Sequence, residues 1–307
     1  MKHNKILQNI LKYFEKYLTR EDVNEIIISH EKKVWLDHGG SFEEVEDENF
    51  SLSLLNGFLT ELANSRNSLF NQSHPVLATS IPHTSYRVLA LHKSVVREQD
   101  LQINIRIPSK KIFPIEFFKI AENVNFTHQD FIDMVISHKN IIVSGGVGSG
   151  KTSFTKALLQ YIDEDERVVL IEDSAEIEVK NKNKTQLLVD KFARNDQEGF
   201  TYLKAIDVAM RLLPQRLILG EIDVYNTSTL LRLNNSGHRG SITTLHADDC
   251  QLAKKAISLN LQLSGFAANQ NAINDYVTSA VDVIIQLTKD DKTNKREIVE
   301  VMIMRNR

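Results

Sequence analysis

One cysteine in 307 residues, Cys250, leaves nothing for a disulfide framework and too few thiolates for a cysteine-rich zinc site. It is read as an inert small residue. Long apolar runs are also missing, and none approaches the ~18–20 residues of a membrane span. The opening Met1-Lys-His-Asn-Lys-Ile lacks the apolar stretch and cleavage site of a signal peptide, so a cytoplasmic protein is expected. Charge of one sign is not in excess either: 37 Lys and Arg against 40 Asp and Glu give a net charge of −3. That balance argues against a broadly basic nucleic-acid surface, and direct nucleic-acid binding is not expected. Internal repeats and low-complexity tracts are absent. What remains is an ordinary globular composition, long enough for two domains with a core each.

The two halves differ in texture. Residues 1–107 mix short helical and strand-like segments: Asn24–Ser29, Lys33–Asp37, a helix-like Asn49–Asn64, then Tyr86–Leu91 and Leu101–Ile107. This pattern predicts a small α+β domain. Within it, Ile6, Ile10, Phe14 and Leu18 recur at i, i+4 with lysines between them. The stripe suits a helix packed on its own domain, or one docked on a membrane surface or a neighbouring subunit. Pro108–Pro114 breaks the pattern, and residues 108–120 are read as a linker. From 121 to 307 apolar strands alternate with helices: Asn140–Ser144, Val168–Glu172, Leu217–Glu221 and Ser241–Leu245. That alternation predicts a mainly parallel sheet covered on both faces. Val281–Leu287 and Ile298–Met304 flank a polar stretch as a final antiparallel hairpin. The charged runs Asp163–Glu166 and Lys180–Lys184 are read as solvated loops.

Gly145-Gly146-Val147-Gly148-Ser149-Gly150-Lys151-Thr152 is a complete phosphate-binding loop, and it lies between a strand and a helical pattern beginning at Ser153. Its small residues let successive N–H groups turn toward phosphates, Lys151 adds a point charge, and the Thr152 hydroxyl can hold Mg²⁺. The Lys-Thr ending favours a nucleoside triphosphate with Mg²⁺ over a dinucleotide. Hydrolysis also needs a carboxylate for the metal or the attacking water. Glu221 ends a strand some seventy residues later, as a Walker B acid does. Glu172 and Asp173 end the intervening strand, with Glu176 a turn further on, and Glu172 and Glu221 join Thr152 as candidate metal ligands. His246 closes a Gly/Ser/Thr-rich stretch; alone it reads as a satisfied structural histidine, and a role in sensing the γ-phosphate or positioning water gains weight only from the surrounding motif.

The order of phosphate loop, Ile171-Glu-Asp-Ser-Ala-Glu-Ile177, Leu217-Ile-Leu-Gly-Glu221 and Ser236-Gly-His-Arg-Gly-Ser-Ile-Thr-Thr-Leu-His-Ala247 resembles the secretion-superfamily traffic ATPases. Among these it is most similar to the hexameric ATPase of bacterial type IV secretion and conjugation systems. Val23–Ser29, Val34-Trp35, Tyr86-Arg-Val88 and Ile105-Arg-Ile-Pro-Ser109 resemble that family's N-terminal domain. The resemblance implies a RecA-like phosphate-loop domain after a smaller α+β domain, in a homohexameric ring partnered by inner-membrane components of a secretion apparatus. It implies Glu176, Glu221 and His246 as catalytic groups, and Arg87 and Arg106 as arginines that reach toward the nucleotide.

The chain departs from the family at two places. Asp223 stands where the family commonly has Arg, and in Met210-Arg-Leu-Leu-Pro-Gln-Arg216, Leu213 and Gln215 replace an Arg and an Asp. Read as losses of positive charge near the active edge of the sheet, these changes put turnover in question and keep a non-hydrolysing, nucleotide-gated scaffold in view. A pilus or type II secretion ATPase is the alternative within the superfamily; the single cysteine counts against its zinc-bearing extension branch. A nucleic-acid translocase fits the charge balance poorly.

Overall fold

The computed structural model describes residues 5–66, 68–108, 111–189, 199–290 and 295–305. Ser109 and Lys110 of the linker, residues 291–294 of the polar stretch and the first four residues of the N-terminus lie outside that set. The chain divides into two units, Met1–Lys110 and Lys111–Arg307.

The first unit runs α1 (Lys5–Leu18), β1 (Glu25–His30), β2 (Lys33–Asp37), β3 (Phe42–Glu46), α2 (Leu52–Asn64), β4 (Val76–Ser80), β5 (Arg87–His92) and β6 (Leu101–Arg106). Its six strands form one antiparallel sheet in the order β3-β2-β1-β6-β5-β4. Alternate residues of the strands, such as Ile26 and Ile28 or Ile103 and Ile105, are fully buried, as a sheet with one covered face requires. The cover is a pair of helices packed through aromatic rings: Phe14 of α1 lies 4.6 Å from Phe58 of α2 and 4.8 Å edge-on from Phe50, just before α2. The buried stripe of α1 is Leu7, Phe14, Tyr17 and Leu18, with Ile10 partly covered. Ile6 is 59% exposed, so the buried stripe starts one residue later than the i, i+4 spacing predicts.

The second unit begins with a 3-10 turn, Ile115–Phe117, and β7 (Lys119–Ile120). There follow α3 (His128–Ile136), β8 (Ile141–Gly145), α4 (Lys151–Leu159), β9 (Val168–Glu172), β10 (Lys184–Leu188), α5 (Tyr202–Arg211), β11 (Arg216–Leu219), α6 (Thr227–Asn235), β12 (Ile242–Leu245), α7 (Cys250–Leu263), α8 (Gln270–Ala280), β13 (Val283–Lys289) and β14 (Arg296–Ile303). Eight strands form one sheet, β10-β9-β11-β12-β8-β13-β14-β7, parallel throughout except for the β13–β14 hairpin. Its strands are apolar on both faces because each face carries a core. Val169 and Ile171 pack with α5 to α8, whereas Val168 and Leu170 pack with α3 and α4.

Two expectations need correction. Ile115 and Phe118 are fully buried, and Phe118 lies 5.0 Å from the Phe154 ring of α4, while Ile120 pairs with Ile298. Residues 115–120 are therefore core and sheet edge, not linker. The second is narrower: in the run Lys180–Lys184, Lys180, Lys182, Asn183 and Lys184 are exposed, as a solvated loop requires, but Asn181 is not. Asn181 is buried and donates to the carbonyls of Asp163 and Glu166, tying two charged loops together, and Lys184 opens the edge strand β10.

Candidate nucleotide site

A parallel sheet delivers its strand ends to one edge, and here β8, β12, β11 and β9 are neighbours there. The phosphate loop leaves β8 at Gly145. Its backbone geometry demands glycine at two places, with φ of +74° at Gly148 and +95° at Gly150. A Cβ on Gly150 would stand 2.6 Å from the Arg296 Cδ, whereas Gly146 and Gly148 face open space. Helices α3, α5, α7 and α8 each start with a side chain that accepts a first-turn N–H. At α4 the N-cap is Gly150 and, as at α6, no side chain among the described residues caps it. The first-turn N–H groups of Lys151, Thr152 and Ser153 are thus available to an anion at the positive end of the helix dipole. Val147 is 92% exposed at the loop tip, Ser149 is buried with a hydroxyl that has no hydrogen-bond partner among the described residues, and Thr152 and Ser153 are half-buried.

Lys151 is buried beneath this loop, its ammonium donating to the carbonyls of Gly145 and Gly146, both at 2.8 Å. A third contact joins it to His246 Nδ1 at 3.1 Å. An ammonium can only donate, so Nδ1 accepts and the imidazole proton sits on Nε2. Nε2 in turn lies 3.4 Å from Glu221 Oε1. Three residues from β8–α4, β11 and β12, distant in sequence, thus form one chain: Lys151, His246, Glu221. Burial pushes the Lys151 pKa down to about 8, and the Glu221 carboxylate opposes that shift.

Neighbouring groups fix the acid at the end of β11. Asn226, fully buried, donates to the Glu221 carbonyl, and the Thr244 hydroxyl donates to the Gly220 carbonyl. Asp223 is part of the same turn: its Oδ1 accepts the N–H of Tyr225 at 2.8 Å and of Asn226 at 3.2 Å, closing the chain into α6. The negative charge at position 223 therefore serves turn geometry. Leu213 and Gln215 correct the sequence reading further. They precede β11, which runs parallel to β12 and through it to β8, so they lie at the sheet end opposite Gly145. Gln215 accepts the Arg167 N–H there, and Leu213 is exposed. Arg216 is buried at that same end, bidentate to Glu166 with both contacts at 2.9 Å, and has no part in the phosphate site.

At the end of β9, Glu172 is buried and its carboxylate is already engaged. Oε1 accepts the N–H groups of Glu176 and Ile177, and Oε2 accepts from Gln186 at 2.6 Å. Burial raises its pKa to about 7 against those donors. This arrangement suits a group that organises its loop better than a metal ligand. Glu176 is half-buried nearby. Lys156, buried on α4, is held below the usual lysine range by burial, and Glu176, Glu172 and Glu178 counter that effect. Among the described residues no group of three or more His, Cys, Asp or Glu is placed to hold a metal alone. A metal here would be shared with phosphates, as Mg²⁺ in phosphate-loop sites usually is. Cys250 is buried, and burial raises its thiol pKa to about 12.

Arg87 and Arg106 belong to the first unit. They are direct partners across β5 and β6, so both side chains leave the same sheet face.

Comparison with known proteins agrees with this construction. The profile of the family described as "Type II/IV secretion system protein" matches residues 81–306. The type IV secretion system protein VirB11 of Bartonella henselae is 27% identical over 309 residues, covering 88% of this chain and 85% of that one. The conjugal transfer protein TrbB of Rhizobium radiobacter is 27% identical over 250 residues, covering 80% and 73%. Among solved structures, the ATPase DotB of Legionella pneumophila superposes with a TM-score of 0.67 at 16% identity, over 98% of this chain and 81% of that one. The chain belongs to the type II/IV secretion system protein family and is a traffic ATPase of the type IV secretion kind.

Proposed function

We propose that this chain acts as a homohexameric ring at the inner face of the cytoplasmic membrane, where ATP hydrolysis powers assembly of a secretion apparatus or transport through it. The observation that carries the reading is the Lys151–His246–Glu221 chain, which links the phosphate loop to the acid of the neighbouring strands. In this reading the α4 N–H groups and Lys151 hold the β- and γ-phosphates. Glu221 and Glu176 orient the attacking water and receive its proton. His246 responds when Lys151 turns from its protein partners to phosphate. Mg²⁺, held by Thr152 and Glu221, would neutralise phosphate charge. The Arg87–Arg106 pair is the proposed source of further positive charge for the transferring group. No helix among the described residues is long and apolar enough to cross a membrane, which is compatible with peripheral attachment through partner proteins.

The non-hydrolysing scaffold loses its motivation, since Leu213 and Gln215 lie at the far end of the sheet and Asp223 serves a turn. The test is steady-state phosphate release with Mg·ATP, beside Glu221→Gln, with the oligomeric state recorded in the same sample. Turnover from a six-membered ring that disappears in the variant supports the motor. Tight ATP binding without turnover in a well-formed ring would return the scaffold.

A further inference from the structure

The loop that carries Glu176 is held at more points than a surface turn needs. Glu172 Oε1 accepts the N–H of Glu176 at 3.2 Å and that of Ile177 at 2.9 Å. Gln186, on the edge strand β10, donates through one amide nitrogen to Glu172 Oε2 at 2.6 Å and to the Ile177 carbonyl at 3.3 Å. Ile177 is therefore fixed by both its N–H and its carbonyl. Its side chain, with that of Val179, is buried in the core beneath. The Glu176 N–H also reaches the Ser174 carbonyl at 2.8 Å. Both oxygens of Glu172 are occupied, and the residue is 3% exposed, so it has no open face for substrate. Glu176, one residue from this anchor, is only half-buried and keeps an exposed part.

We infer that Glu172 and Gln186 form a clamp whose work is to set where the Glu176 carboxylate stands, which makes both of them positioning residues. The inference rests on the reading of Glu176 as a catalytic acid. It also gives the edge strand β10 a purpose. Lys184–Leu188 pairs with β9 in register from Val168 to Glu172, and that pairing brings Gln186 within reach of the strand-end carboxylate. A positioning group of this kind acts on the chemical step more than on binding. A displacement of the order of 1 Å in a reacting group can cost about 100-fold in rate, whereas the phosphate loop would hold nucleotide as before.

Gln186 is exposed on an edge strand, so its replacement removes no core packing, although it leaves one oxygen of the buried Glu172 without its amide donor. The experiment compares wild type, Gln186→Met, Gln186→Glu, the swap Glu172→Gln with Gln186→Glu, and Glu176→Gln, measuring kcat, KM for ATP and the melting temperature for each. Gln186→Met is expected to lose roughly 10- to 100-fold in kcat with KM unchanged and only a small fall in melting temperature, so that the protein stays folded at the assay temperature. Gln186→Glu places two carboxylates together and should lose at least as much. The swap restores a donor facing an acceptor. Its new amide at position 172 can accept the loop N–H groups with its oxygen and donate to the new carboxylate at position 186, while the Ile177 carbonyl loses its donor, so the swap should recover part of the kcat relative to Gln186→Glu and stay below wild type. Full kcat in Gln186→Met beside an inactive Glu176→Gln would overturn the clamp and leave the reading of Glu176 standing. Full turnover in Glu176→Gln would overturn both. A fall in Gln186→Met that follows KM, or that is explained by unfolding at the assay temperature, or a swap no better than Gln186→Glu, would reduce the contact to ordinary structure and overturn the inference.

Discussion

Nucleotide binding by this protein should take up a proton near pH 9 and almost none at pH 7. The perturbation is pH, and the responding group is Lys151. Its pKa stands at about 8 instead of 10.5 because burial outweighs the attraction of Glu221. Phosphates placed against the ammonium favour its charged form and return the pKa toward or above the ordinary value. The free protein is therefore about one-tenth deprotonated at Lys151 at pH 7 and about nine-tenths at pH 9, while the complex is protonated at both. The sign follows: affinity is at its full value below pH 8 and falls as pH rises through 8 toward 10.5. Between pH 7 and 9 the Kd for a non-hydrolysable Mg·ATP analogue should rise about tenfold, or ~1.4 kcal/mol. Titration calorimetry in buffers of different ionisation enthalpy should count proton uptake rising from about 0.1 to about 0.9 per nucleotide. Lys151→Arg, which stays charged throughout, should show no slope whatever its absolute affinity. A flat wild-type profile refutes the argument, and so does an equal slope in Lys151→Arg, which would place the proton elsewhere. The same shift has an opposite sign for stability. Its burial cost, ~3 kcal/mol at 1.4 kcal/mol per unit, is present below pH 8 and relieved as pH climbs toward 10.5.

Two further sets of substitutions test the local geometry. Leu213→Arg, which restores the family residue, should leave analogue affinity within about twofold, since position 213 lies at the sheet end away from the loop. Asp223→Ala should instead lower the melting temperature by the equivalent of ~1 kcal/mol and slow turnover, because it frees two N–H groups of the turn that carries Glu221. Gly150→Ala meets both a φ of +95° and the Arg296 side chain, so calorimetry should find nucleotide binding weakened and the melt lowered by ~1–3 kcal/mol. Gly146→Ala, with open space at its Cβ, should melt like wild type.

The sequence carried its strongest signals where local chemistry and fold coincide. A glycine-rich turn between an apolar strand and a helix can be read from eight consecutive residues, and strands such as Val168–Glu172 are legible because burial on both faces leaves five apolar or terminal positions in a row. Edge strands carry no such mark. In β10 the residues Lys184-Thr-Gln-Leu-Leu188 alternate only between exposed and half-buried, and β3 is largely Glu, so neither announces itself by periodicity. Residues 115–120 were hidden by the prolines before them, although Ile115 and Phe118 already carried the apolar payload of a core segment. Leu213 shows a different limit. Motif adjacency placed it near Glu221, but a four-residue parallel strand separates the two, and crossing that strand carries the chain from one edge of the sheet to the other.

The proposed role of His246 shows why topology decides what a motif cannot. Along the chain it lies 95 residues from Lys151, and a lone histidine after an apolar strand reads first as packing. In the sheet, β12 lies between β8 and β11, so the residue following it has the phosphate-loop lysine on one side and the Walker B acid on the other. A neutral imidazole can accept from an ammonium through one nitrogen and donate to a carboxylate through the other at once. When phosphate draws the lysine away, His246 Nδ1 loses that donor, and Glu221 faces an imidazole no longer polarised by an ammonium. In the proposed mechanism the occupancy of the phosphate loop reaches the acid through this single ring, without movement of the strands that hold either group.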